Sequence, residues 1–218
     1  PGQFAEIYMF ANPGYGWARP QSEGGRISDE YWPMPKAKRD YYALKIALEK
    51  RFSNNWQGGL NYTLSRVEGN YGGLASSDEE GRVSPNVERY FDYWFMPYMA
   101  NGEVLDGPLP QDRTHYIKAY GSYAFPFGLT VGITAYARSG LPVSTRINLC
   151  NAYMWPNGYG DLGRLPWTAW ADVYAEYTLR FAQKYSVGIN LQFNNITNTK
   201  TVQSRIYDLN RNGALYSV

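Results

Sequence analysis

Cysteine and histidine are almost missing from this chain of 218 residues, which holds one of each, Cys150 and His115. A single cysteine excludes a disulfide within the chain, and the pair is too few for a Cys/His zinc site. A catalytic triad would need His115 beside a base-activated nucleophile, whereas it reads as a rim residue at a loop-to-strand boundary, so no enzyme activity is expected. Charge of one sign is scarce as well. The net charge is +2, and no Lys/Arg cluster stands out along the chain, which argues against a nucleic-acid partner. No apolar run approaches the roughly 18 residues of a membrane-spanning helix. No signal peptide is seen, but the chain opens on Pro1 rather than Met and reads as a fragment.

What is abundant points elsewhere. Aromatic residues make up 17% of the chain, led by 21 Tyr and 7 Trp, beside 22 Gly, a mixture that suits interfacial girdles and tight turns. From Tyr116 every second residue is polar or small (Tyr116, Lys118, Tyr120, Ser122, Ala124), while Ile117, Ala119, Gly121, Tyr123 and Phe125 lie between. After Pro126-Phe127-Gly128 the alternation resumes, with Leu129, Val131, Ile133, Ala135 and Ala137 against Thr130, Gly132, Thr134, Tyr136 and Arg138. A period of two means strands, not a helix. Each arm is about twelve residues, or roughly 40 Å at about 3.3 Å per residue, roughly twice an ordinary strand. Tilted by about 45°, it covers the apolar band of an outer membrane.

The same pattern appears twice more, so that six strands are predicted over about 40–52, 56–67, 114–125, 129–139, 170–181 and 185–195. Between them lie compact turns at Ser53-Asn54-Asn55, Pro126-Phe127-Gly128 and Ala182-Gln183-Lys184, and loops at 1–39, 69–112, 140–169 and 196–218. In the first loop the spacing of Pro13, Pro20, Pro33 and Pro35 argues against a central strand. The second is a long polar connection. Short turns on one side and long loops on the other are the outer-membrane pattern, with the turns periplasmic and the loops outside the cell.

Charge placement separates a barrel from a soluble β-sandwich. Lys45, Glu49, Arg51, Lys118, Arg138, Asp172, Glu176 and Arg180 share the polar face, whereas the apolar face carries charge only near strand ends, at Lys50, Arg66 and Glu68. On a lipid-facing surface a mid-strand Arg or Lys costs about 2 to 4 kcal/mol, and near the interface about 0 to 1. Phe52, Trp56, Phe125, Phe181 and Tyr185 form one aromatic girdle on the apolar face beside the short turns. The fold class expected is therefore all-β, a six-strand, three-hairpin segment of an antiparallel transmembrane β-barrel. Six strands cannot close a small barrel, which needs about eight.

Candidate ligand residues are few. Tyr41, Tyr116, Tyr120, Tyr136, Trp170 and Tyr174 are aromatic residues of the polar face, placed to meet a ligand in the lumen or to pack against a plug. Asp78, Glu79 and Glu80 offer oxygen ligands for Ca²⁺, but without EF-hand spacing they read as a solvated acidic loop. No catalytic, metal or cofactor residue is assigned.

The strand ends carry Asn12-Pro13-Gly14, Lys50-Arg51-Phe52-Ser53-Asn54-Asn55-Trp56, Gly69-Asn70-Tyr71-Gly72-Gly73-Leu74, Asp112-Arg113-Thr114-His115, Ser139-Gly140-Leu141-Pro142 and Asn194-Asn195-Ile196-Thr197-Asn198. In order and spacing these resemble the C-terminal barrel region of the Oar-like TonB-dependent receptors, from about Asn12 to Asn198. The resemblance implies a 22-stranded barrel closed by a plug domain, in the outer membrane of a Gram-negative-type bacterium, taking up a substrate with energy delivered through TonB. The implied partners are outer-membrane lipid, the remaining barrel strands and plug of a parent protein, and TonB. A surface structural or adhesion protein, whose barrel only anchors large loops, is the alternative. A plug encoded upstream would separate the two.

Overall fold

The computed structural model describes residues 8–12, 14–22, 24–72, 93–149, 152–181, 184–203, 205 and 207–209. The acidic run 78–80, Arg82, Arg89, Cys150, the turn residues Ala182 and Gln183 and the Phe181 side chain lie outside that description. Among the described residues there is no helix, hence none long and apolar enough to cross a membrane. The strands are β1 (Tyr8–Asn12), β2 (Trp17–Gln21), β3 (Trp32–Pro33), β4 (Arg39–Ser53), β5 (Trp56–Gly69), β6 (His115–Ala124), β7 (Leu129–Arg138), β8 (Thr145–Leu149), β9 (Ala152–Met154), β10 (Thr168–Phe181), β11 (Tyr185–Phe193) and β12 (Tyr207–Asp208).

The six long strands make one antiparallel sheet in the order β11-β10-β7-β6-β5-β4. Each strand pairs with its nearest long neighbours in sequence, so the sheet is a meander of three hairpins, open at β4 and β11. The first hairpin turns on two residues, Asn54 and Asn55, rather than on the three expected, because Ser53 pairs directly with Trp56. Both asparagines have positive φ, 52° and 67°, as a type I′ turn requires, and asparagine tolerates that conformation better than most side chains. The second turn keeps its three residues. Gly128 at φ 93° donates its N–H to the Phe125 carbonyl, and Phe125 donates to Leu129, which closes the loop.

Register fixes the faces. Leu48, Leu60, Ala119, Ala135 and Ala171 form one directly paired row, and Ile133 pairs with Val173, which pairs with Phe193. Glu49, Gly59, Tyr120, Thr134 and Asp172 form the adjacent row on the opposite face. The apolar face is uncovered: Leu48 is 63% exposed, and Ile46, Ile133, Ile189 and Leu191 are exposed with it. So large an apolar surface is not left to water by a soluble protein.

The buried core lies in the segments read as loops, 1–39, 69–112 and 140–169. Met9, Ala18 and Met34 from the first loop, Met96, Leu105 and Leu109 from the second and Trp155 and Tyr159 from the third pack in one cluster with Val67 of β5. Two small sheets serve this region, β1-β2-β3 and β12-β8-β9. β2 is a central strand despite Pro20, contrary to expectation. The Pro20 carbonyl accepts from Ser28 on the side away from β1, and β3 pairs only with Trp17 and Ala18, so the missing N–H interrupts neither ladder.

Asp112 ties the loops to the wall. It is fully buried, accepts the Val67 N–H at 2.6 Å and is ion-paired with Arg164, whose guanidinium also donates to the Asp112 and Gly140 carbonyls. Any side chain at Gly140 would strike the Leu165 backbone, so the two segments approach as only glycine permits. Asn70 closes the near end, holding the Lys38 N–H at 2.7 Å and the Lys36 carbonyl at 3.0 Å. Lys38 reaches Asp106 at 2.8 Å, and that hydrogen bond and charge raise the pKa of its ammonium.

Candidate functional site

The polar face of β6, β7 and β10 gathers most of the aromatic candidates. Pairing sets Lys118, Tyr136 and Trp170 in one row, and Tyr116, Arg138 and Thr168 in the row nearer the loops. Tyr136 and Trp170 stack, with ring centroids 4.9 Å apart and planes at 17°. The Lys118 amine lies 5.5 Å from the Tyr136 centroid and the Arg138 guanidinium 5.2 Å from that of Trp170, so two cations cover the stack. One row towards the turns, Tyr120 lies across Gly59. A Cβ at Gly59 would come within 2.6 Å of the Tyr120 ring, so the glycine makes room for the ring to lie on the sheet.

A cavity of about 410 Å³ opens beside the stack, lined by Tyr120, Thr134, Tyr136, Asp172, Tyr174 and Gln192 among others. Its lining mixes aromatic faces with hydroxyl, carboxylate and amide groups, the composition of a site that orients a polar ligand on rings. Asp172 is engaged, since it accepts the Asn195 N–H at 2.7 Å, and the Tyr174 hydroxyl donates to Glu176. Above it, Arg113 donates to the Ser139 carbonyl at 2.6 Å. Burial first, and then the charge of Arg138, lower its pKa from the ordinary arginine value.

Of the six candidates, the structure brings Tyr120, Tyr136, Trp170 and Tyr174 together and sets Tyr116 beside them. Tyr41 stands apart, exposed at the start of β4 and paired with Val67. Lys118, Arg138, Thr134 and Gln192 were not among the candidates. Their parity places them on the right face, but only cross-strand register shows that they adjoin the rings. Among the described residues no group of three or more His, Cys, Asp or Glu could hold a metal ion.

The apolar face carries aromatic residues at both ends. Beside the turns, Tyr123 and Phe125 meet edge to face at 4.8 Å, and Lys50 lies 4.0 Å over Trp56. At the loop end, His115 Nδ1 is 2.9 Å from the Tyr62 hydroxyl, and its ring stacks on Trp167 at 5.4 Å. His115 pairs with Leu64, eight residues along β5 from Trp56, which is about 26 Å of strand at about 3.3 Å per residue. At a tilt of about 45° that is a height of about 18 Å, within the apolar band of about 25 Å that two girdles flank in an outer-membrane barrel.

The chain is similar to the TonB-dependent transporter Oar of Myxococcus xanthus. The two are 29% identical over 206 residues, 90% of this chain. The chain spans 17% of the length of that transporter. The resemblance to Oar-like receptors drawn from the strand-end motifs is thus borne out. No family model matches the chain, and no solved structure matches it.

Proposed function

We propose that this chain is a wall segment of the β-barrel of an outer-membrane TonB-dependent receptor that takes up its substrate with energy delivered through TonB. The observation that carries the reading is the register of the six-stranded sheet. Across all its strands it puts uncharged residues on one uncovered face between two aromatic belts, and Lys45, Glu49, Lys118, Asp172 and Glu176 on the other. Similarity to a transporter supports the function and the location. On this reading the apolar face meets outer-membrane lipid, the polar face lines the lumen, and the loops look out of the cell. The rest of the barrel, the plug and the contact with TonB belong to the parent protein, and a total of 22 strands is part of the proposal.

Single cysteines test the wall directly. Leu44, Ile46, Leu60, Ile133, Val173 and Leu191 are expected to react with a lipid-soluble reagent, and Lys45, Asn61, Lys118, Thr134, Glu176 and Asn190 with an aqueous one. A shift of one residue would exchange the two sets. Preferential lipid labelling of the second set would sink the reading. The packed loop core favours a second one, in which the loops form a surface for partners and the barrel anchors them. Exposed Tyr15, Tyr31 and Trp94 would then face the partner. Loss of uptake on removing TonB separates the two, since an anchor needs no energy.

A further inference from the structure

Along the strands from the loop end, the charges of the polar face run cationic, then acidic, then cationic again beside the turns, at Arg51 and Arg180. Lys45 and Arg138 share the row nearest the loops, and Lys118 occupies the next. Glu49 and Asp172 follow one row further, and Glu176 two rows beyond them, each row being a step of about 7 Å along the strand. A solute arriving from the loop end therefore meets cations first.

Among the described residues those cations have no acidic partner. In the loops Arg19 is paired with Asp29, Lys38 with Asp106, Arg146 with Asp208 and Arg164 with Asp112. Among the described residues neither Lys118 nor Arg138 has a carboxylate within ion-pair distance. Arg138 gives Nη2 to Gln203 at 2.9 Å, while its Nε is enclosed without an acceptor. The nearby carboxylates are committed elsewhere, Asp172 to the Asn195 N–H and Glu176 to the Tyr174 hydroxyl. What remains is a planar guanidinium and an ammonium on adjoining rows, both lying on one aromatic stack. A guanidinium held on a ring keeps its edge for a carboxylate or phosphate, and the rings displace the water that would screen it.

We propose that Lys118 and Arg138, seated on the Tyr136–Trp170 stack, form a recognition site for the oxyanion of a ligand held in the lumen. The proposal rests on the reading of the polar face as lumen. The oxyanion has two sources, an acidic solute entering from the loop end or an acidic side chain of the parent protein seated inside the barrel.

The test uses the full-length protein that carries this chain, purified in detergent and titrated in a calorimeter with hexaglutamate peptide, inorganic phosphate and, as an uncharged control, hexaglutamine. The double variant K118Q/R138Q is compared with K184Q/K200Q, which removes the same charge elsewhere. Hexaglutamate or phosphate binding that falls at least tenfold in K118Q/R138Q, and less than twofold in K184Q/K200Q, supports the site with a solute as the source. If no titrant binds, an internal carboxylate is supported when K118Q/R138Q alone lowers the melting temperature and abolishes its dependence on salt. Two double variants that match each other in both binding and melting overturn the proposal. Labelling of Lys118→Cys and Ile133→Cys keeps the two levels apart. If Lys118→Cys reacts from water while calorimetry and melting show nothing, the site alone is wrong. Should it react from lipid instead, the lumen reading falls and the site with it.

Discussion

The six-stranded wall and the loops it carries solve opposite problems with the same kind of residue. In the wall, leucine, isoleucine and valine are spread over a face that nothing among the described residues covers, and the regular strand ladder satisfies the backbone. In the loops, Met96, Leu105 and Leu109 are fully buried although their backbone is irregular, so side chains such as Asp112, Asn70 and Arg164 must satisfy it. On the proposed reading the wall depends on a solvent of lipid. The loops depend on specific contacts.

The contrast fails if one kind of damage harms both regions equally. The largest effect is expected at Asp112, where Asp112→Ala removes the partner of Arg164 and the acceptor for the Val67 N–H. Breaking a buried pair in this way costs about 3 to 5 kcal/mol. Limited proteolysis should then cut the loops faster, while the barrel still shows heat-modifiable migration on gels. The reverse is expected of Ile133→Arg, which places a charge mid-strand on the apolar face at a cost of about 2 to 4 kcal/mol. Assembly into the membrane should fall, whereas Thr134→Arg, one residue along and on the other face, should assemble normally. Equal assembly of the two would undo the assignment of faces.

A smaller effect is expected at the loop-end belt. Trp167→Ala removes a ring stacked on His115 and should lower stability by about 0.5 to 1.5 kcal/mol, read as a modest drop in melting temperature. Smallest of all is the exposed Lys38–Asp106 contact. Because pairing raises the pKa of Lys38, its contribution is complete below the ordinary lysine value of 10.5 and fades as the pH climbs above it. Lys38→Ala should therefore melt slightly below the parent protein near neutral pH, and the gap should close as the pH rises past the lysine range.

The wall was legible in the sequence because a period of two leaves a mark in every four residues, and its polarity names the face. The loop core left no such mark. Met96, Leu105 and Leu109 sit among Pro, Gly and acidic residues at irregular intervals, and they bury only because segments far apart in sequence converge. The pairing of Tyr207 with Thr145 is equally silent, as two residues suffice for it. The candidate site lies between these cases. Parity placed Tyr136 and Trp170 on one face, but their stacking depends on how β7 and β10 align across the loop between them, and that register is written in no single stretch. Tyr41 has the right parity and the wrong neighbourhood for the same reason.

The meander order of the wall has one more consequence. Among the long strands, each pairs only with the one before it and the one after, while loop segments bond to the strand ends at Val67, Gly69 and Ala171. The ladder therefore repeats in units of two strands, whereas the loops that join the hairpins share one core with Val67, so the independence of the units ends at the loop side of the sheet.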